Sequence, residues 1–287
     1  MSFFEWTDSL KIGVPLVDHD HRFLVSLINQ LHDAVGEEEE RDVLETVLDA
    51  LVEYTVYHFG REERVMEACG YPGLAQHRKR HEALASQVFE VHQRFRDDRS
   101  AIIGQDVLEF LKTWLLDHVQ KQDQQIAPHA RDNAAAIRAA QQVPRLAVNV
   151  PGGGMPKVNW QDVSVLIVEG NASFRKVLNT ILQTVDVKEI IEAENGAQAL
   201  QAVSKSVPDV ILSDWYVDDM DVLELRNAVG DSIADGVDSV PFVVMLGHDS
   251  HEFEKMARDA GVSEFLEKPV TAKGMLMAVA RAIEEKE

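Results

Sequence analysis

The stretch Val17-Asp18-His19-Asp20-His21-Arg22-Phe23-Leu24-Val25-Ser26-Leu27-Ile28-Asn29-Gln30-Leu31 decides how the first half of the chain folds. Phe23, Leu24, Leu27, Ile28 and Leu31 recur at i, i+1, i+4, i+5 and i+8, one apolar stripe along a helix. The same period continues outward from it. A second helix is expected from about Arg41 to Cys69 through Val43, Val47, Leu51, Tyr54 and His58, broken by Gly70-Tyr71-Pro72-Gly73. A third runs from about Leu74 to Phe95, and Asp97-Asp98-Arg99-Ser100 closes it. A fourth starts near Ile102 and passes through Val107, Phe110, Leu111, Trp114 and Leu115 to about Ile126. Four helices with short connections predict an all-α up-down bundle over residues 1–133.

The pattern then changes. Ala134 to Gln142 could prolong a helix, but Pro144 and the run Pro151-Gly152-Gly153-Gly154-Met155-Pro156 could not, so 134–158 reads as a flexible linker. From residue 159 short apolar strands alternate with amphipathic stretches: Val163–Val168, Val187–Ala193, Asp209–Ser213, Val240–Leu246 and Ser263–Leu266. Five such units predict an α/β domain over 159–287, a doubly wound five-stranded parallel sheet of flavodoxin-like order. The chain is therefore expected to be multi-domain.

Composition narrows the function. With 49 acidic against 28 basic side chains the net charge is −21, which repels phosphate backbones. The longest basic cluster is Arg78-Lys79-Arg80, so nucleic acid is not an expected partner. A single cysteine, Cys69, rules out an intrachain disulfide. The start, Met1-Ser-Phe-Phe-Glu-Trp-Thr-Asp, lacks the features of a signal peptide, and no apolar run approaches the ~18 residues of a membrane span. A soluble cytoplasmic protein without a membrane span is expected. Nine of the eleven histidines precede residue 130 and none lies between 130 and 247, so the two halves carry different chemistry.

His58 with Glu62 and His77 with His81 stand four apart, each pair on one helix face. His21 lies in the first helix, and His118 and Asp123 in the fourth. Each helix offers at least one ligand, the arrangement from which bundles build dinuclear metal sites. One pair fits poorly: five residues on an ideal helix turn Asp123 ~140° away from His118. A local loosening of the helix, or the long reach of a bridging carboxylate, would reconcile them. His19, His32, His92, His129, His248 and His251 read as surface or structural residues.

Together these segments resemble bacterial hemerythrins over about residues 4–127. The resemblance rests on Val17-Asp18-His19-Asp20-His21, His58-Phe59-Gly60-Arg61-Glu62-Glu63, His77 with His81, Trp114-Leu115 with His118 and Asp123, together with Trp6 and Gly70-Tyr71-Pro72. It implies two iron ions: His77, His81 and His118 on one, His21 and His58 on the other, which keeps an open position for O2. Glu62 and Asp123 would bridge them. Imidazole suits iron, and only two carboxylates are present. Ferritin-like oxidases use four carboxylates and two histidines, a more anionic set that favours high oxidation states. Five neutral imidazoles favour reversible O2 binding over oxygenation, so a non-enzymatic role is expected. Leu24, Leu27, Trp114 and Leu115 are candidate walls of a dry pocket.

The second half is similar to the receiver domain of two-component response regulators, over about residues 160–286. In such sheets chemistry sits at the carboxyl ends of the strands. Glu169, Asp214, Gly247 and Lys268-Pro269 stand there, and Ser213-Asp214-Trp215 with Met220-Asp221 resembles a chemotaxis-type phosphoacceptor segment. The resemblance makes Asp214 the phosphoacceptor and Lys268 the lysine that meets the phosphoryl group. It departs in three places. The acidic pair reads Glu169-Gly170, the hydroxyl position reads Gly247, and the proline and glycine usual after the phosphoacceptor read Asp218 and Val222. Fewer oxygen ligands weaken Mg2+ binding. The domain is expected either to be phosphorylated slowly at Asp214 or to act as a pseudo-receiver that binds a partner through its fold, the second being favoured.

Taken whole, the chain reads as an O2-responsive signalling protein whose partner is a histidine kinase or chemotaxis-type component. The competing expectations are an O2 carrier or store that uses the receiver for localisation, and a di-iron oxidase or peroxidase.

Overall fold

A computed structural model describes residues 3–34, 41–97, 105–142, 158–218, 220–232, 239–247 and 251–285. The chain divides into two compact units, Met1–Leu146 and Ala147–Glu287. The expected multi-domain arrangement, a helical bundle followed by an α/β sheet domain, is what the two units display.

In the first unit the long helices are α1 (Pro15–Ala34), α2 (Arg41–Ala68), α3 (Leu74–Asp97) and α4 (Gln105–Asp117). The stripe that opens the sequence argument is the core face of α1: Leu24, Leu27, Ile28 and Leu31 have no exposed surface. Against it α2 sets Val47, Leu48 and Leu51, and α4 sets Leu108 and Leu111. Before α1, Gly13 takes a left-handed backbone (φ +89°), and a Cβ there would come within 2.9 Å of Arg131. Asp18 fixes this entry by accepting from Ile12 N at 2.7 Å and Gly13 N at 3.2 Å. Ile102, at the expected start of the fourth helix, lies outside the described residues.

The fourth helix does not stay α-helical. After Asp117 it widens into a π turn, His118–Gln122, in which Asp123 N–H bonds back to His118 O, and then tightens to a 3-10 turn, Asp123–Gln125. A short α5 (Ala127–Ala130) and α6 (Ala134–Gln141) follow. The stretch from 134, read as linker, is thus helical at its start. Asn133 caps α6 by accepting from Ala135 N (2.9 Å) and Ala136 N (3.2 Å). Ala136 and Ala140 pack into a cluster with Ile12, Val14, Val17, Val65 and Met66. Alanine carries no large apolar stripe for the sequence to display, but its small side chain lets α6 lie close on α2. The glycine run 152–154 lies outside the described residues.

The second unit is the expected doubly wound α/β fold. Its elements are β1 (Ser164–Val168), α7 (Ala172–Gln183), β2 (Glu189–Ala193), α8 (Gly196–Lys205), β3 (Val210–Asp214), a two-stranded hairpin of β4 (Tyr216–Val217) and β5 (Met220–Asp221), α9 (Val222–Ser232), β6 (Phe242–Leu246), α10 (His251–Asp259), β7 (Glu264–Glu267) and α11 (Ala272–Glu284). The five-stranded sheet has the order β2-β1-β3-β6-β7, all parallel. Val165 to Val168 and Val210 to Leu212 are wholly buried, as central strands covered by helices on both faces must be. The order reverses between β1 and β3, which opens a crevice at their carboxyl ends.

Candidate metal centre

The four long helices converge their polar side chains at one level of the bundle. His21 from α1, His58 and Glu62 from α2, His77 and His81 from α3, and His118 and Asp123 from the fourth helix are all at most 3% exposed. They form two groups, each with one donor atom per residue inside 4.8 Å of the others: Glu62 with His77, His81 and His118, and Glu62 with His21, His58 and Asp123. Glu62 belongs to both. Its Oε2 stands 3.4 Å from His77 Nε2, 3.1 Å from His81 Nε2 and 3.9 Å from His118 Nε2. Asp123 divides its oxygens: Oδ1 lies 3.3 Å from both His77 Nε2 and His118 Nε2, and Oδ2 lies 3.3 Å from His21 Nε2.

The π turn makes this possible. One widened turn brings residues five apart back to nearly the same face, so the spacing that looked wrong for a regular helix is right for this one.

Burial on this scale leaves polar atoms with no hydrogen-bond partner. Both ring nitrogens of His21, His58 and His77, Glu62 Oε1 and both Asp123 oxygens are in that state. Each orphan costs about 1–3 kcal/mol in a folded interior, and the cost disappears when a cation collects them. A set rich in imidazole with two carboxylates suits a transition metal such as iron, zinc or copper rather than calcium or magnesium. The residues therefore fit a non-heme iron centre.

The charges tell the same story. Burial pulls His77 down, but Asp123 and Glu62 outweigh it and raise it to about 9. Burial pushes His118 down to about 4, with His81 and His77 adding to the shift. Glu62, opposed by burial, is held well below the usual carboxylate range by the neighbouring imidazoles of His77 and His81. Asp123, opposed by burial and by the charge of Glu62, is brought to about 2 by His118, His21 and His77.

Around the ligand set, Phe59 stacks on His81 (centroids 3.8 Å, 8°) and meets His118 edge-on at 5.5 Å. His81 Nδ1 faces Glu63 Oε1 at 3.0 Å. Leu24, Leu27, Trp114 and Leu115 are buried in the bundle. A groove of about 730 Å³, walled by Leu84, Phe110 and Trp114, runs between α3 and α4 as far as His118.

A family model for the hemerythrin HHE cation binding domain matches residues 12–130, and one for the response regulator receiver domain matches residues 165–280. The bacteriohemerythrin of Stenotrophomonas maltophilia is 35% identical over 135 residues, 46% of this chain and 84% of the relative. The chain belongs to the hemerythrin family. The bacteriohemerythrin of Methylococcus capsulatus is 30% identical over 129 residues, 45% of this chain and 97% of the relative. A crystal structure of wild-type hemerythrin aligns with 45% of this chain and 98% of its own at 29% identity, with a TM-score of 0.42. Hemerythrin likeness is confined to the first unit, and the second is a receiver domain.

In that receiver the three expected residues meet in the crevice between β1 and β3. Lys268 Nζ lies 3.1 Å from Glu169 Oε2 and 3.2 Å from Asp214 Oδ2, and 4.7 Å from the Phe174 ring centre. Burial raises Glu169 above the usual range against the pull of Lys268. The same burial works against the Lys268 charge, but the two carboxylates prevail and raise it. Among the described residues, the two carboxylates in this crevice are both engaged by an ammonium, which leaves few oxygens for Mg2+. Gly170 and Gly247 are exposed, and a Cβ at Gly170 would meet nothing closer than Glu194 O at 3.8 Å.

Sequence reading missed a second layer on α1 and α2. Asp20, Tyr54 and Arg61 are each at most 3% exposed and bonded to one another. An acid at position 20 and a base at position 61 look like solvated helix faces. The signal that would have found them is Asp20's place beside His21 combined with Arg61's place beside Glu62.

Proposed function

We propose that the first unit holds two iron ions and binds O2 reversibly, and that the receiver domain carries the oxygen state to a signalling partner. His77, His81 and His118 would hold one iron, His21 and His58 the other, with Glu62 and Asp123 shared between them. The observation that carries this reading is the sharing of carboxylates. Glu62 stands in both ligand groups, and Asp123 turns one oxygen to His77 and His118 and the other to His21.

The iron pair, when bound, supplies the electrons that hold O2. The chain supplies the rest. Three imidazoles on one side and two on the other leave unequal coordination, so the two-histidine side has room for a diatomic ligand. Apolar residues of α1 and α4 keep water from the centre, and five neutral imidazoles with only two carboxylates would leave the metal pair more positive than a four-carboxylate set, which disfavours high oxidation states. Such a set favours reversible binding over turnover, so we read the protein as a binder, not an oxidase or peroxidase.

The receiver acts as a pseudo-receiver, with Lys268 paired to both Asp214 and Glu169, and meets its partner, a histidine kinase or chemotaxis-type component, through its folded surface. A visible spectrum and iron count on the purified full chain test the first part: about two irons per chain and a charge-transfer band present in air and lost on anaerobic reduction are expected. Partner affinity in air and under anaerobic reduction tests the second, because a sensor must bind differently in its two states. Equal affinities would leave a carrier or store.

A further inference from the structure

Behind His58 lies a buried carboxylate with an oxygen held in reserve. Asp20 is fully buried, one residue before His21. Its Oδ1 accepts from Tyr54 Oη at 2.7 Å and Arg61 Nη1 at 2.5 Å. Its Oδ2 accepts no hydrogen bond, and neither does His58 Nδ1 have a partner, yet the two face each other at 3.5 Å. Arg61 is fixed from three sides: Asp20, the Leu16 carbonyl at 3.4 Å, and Tyr57, whose hydroxyl and ring face it contacts. The contrast with the other histidines is sharp. His81 sends Nδ1 to Glu63, which is a quarter exposed, whereas His21 and His77 leave Nδ1 without a partner.

We infer that Asp20 is a positioning residue for the metal centre: it accepts a hydrogen bond from the Nδ1–H of His58, fixes that ring in the tautomer with Nε2 bare, and aims Nε2 at the metal. Arg61 and Tyr54 are what let an ionised carboxylate live there. A buried carboxylate without them would be strongly disfavoured, and with Arg61 the buried pair carries almost no net charge. Carboxylates that hold the outer nitrogen of a ligating histidine set ring orientation and ligand basicity, and their loss typically weakens metal binding by about 10–100-fold. Because His58 stands on the two-histidine side, Asp20 acts on the iron that would meet O2. This inference rests on the di-iron reading.

The test uses the full chain in two forms. In the metal-free protein, ¹⁵N NMR of the histidine rings should show a proton on His58 Nδ1, and Asp20→Asn should disturb that assignment while leaving His77 unchanged. A bare Nδ1 in the wild-type protein overturns the inference. In the iron-loaded protein, Asp20→Asn should release iron to a ferrous chelator about tenfold faster or more. Release at the wild-type rate overturns it as well. Should the unpaired Arg61 unfold that variant, Asp20→Asn with Arg61→Met removes both charges and is expected to give the same fast release. A wild-type chain that takes up no iron sinks the di-iron reading instead, and the ring-proton measurement still decides the role of Asp20.

Discussion

Glu62 reaches His77, His81 and His118 with one oxygen and shares a second ligand group with His21, His58 and Asp123. A residue common to two metals cannot be removed from one alone. On the proposed di-iron reading, Glu62→Gln is therefore expected to lower retention of both irons, by about tenfold or more in chelator competition, whereas His21→Ala should spare the three-histidine side. Iron counted after dialysis against chelator separates the two outcomes, and a Glu62→Gln chain that still keeps one iron would argue against the shared role. Proton competition gives a second prediction. His77 stands at about 9 in the metal-free chain, raised above its ordinary 6.5, so at neutral pH it carries a proton that a metal must displace. Metal affinity should climb by up to about tenfold per pH unit toward pH 9, with proton release measurable by calorimetry in two buffers. Stability of the metal-free chain runs the other way. A raised histidine supports the fold fully below 6.5 and loses that support as pH rises through 9.

At the scale of elements, the entry to α1 decides whether His21 and Asp20 point inward together. Asp18 accepts two backbone N–H groups from the segment before the helix, where Gly13 packs on Arg131. Asp18→Ala would strand the buried Ile12 N–H, so a loss of about 1–3 kcal/mol in denaturant unfolding is expected. Most elements were legible from periodicity, because α1 to α4 bury one stripe each and the central strands are apolar throughout. What periodicity could not carry was anything off the regular geometries. The His118–Asp123 spacing looked wrong because π turns have no sequence period of their own. The α6 helix read as linker because its buried face is alanine, and the β4–β5 hairpin is too short to alternate. Asp20 and Arg61 escaped for another reason: sequence patterns treat charge as surface, and only packing shows a charged pair inside.

For the molecule as a whole, the question is what the receiver can transmit. Its crevice holds Glu169, Asp214 and Lys268 at contact distance but lacks a second acid at Gly170 and a hydroxyl at Gly247. Neither absence is forced by space, since a Cβ at Gly170 finds its nearest neighbour at 3.8 Å and one at Gly247 finds nothing within 4 Å. Neither glycine uses the left-handed backbone that would strain another residue. The crevice thus gathers Glu169, Asp214 and Lys268, while the neighbouring positions 170 and 247 carry no side chain. Trp215, next to Asp214 and bonded through its backbone N–H to Oδ1 at 2.9 Å, is placed to report on cations there. Mg2+ titration of the wild-type chain by tryptophan fluorescence should show no saturation at concentrations where Gly170→Asp does, because a third carboxylate adds both charge and an oxygen ligand. Adding Gly247→Thr should then allow a small phosphodonor to leave stable label at Asp214. Saturable Mg2+ binding and label at Asp214 in the wild-type chain would instead make this receiver an active one, and the oxygen signal would then have a phosphoryl switch to act through.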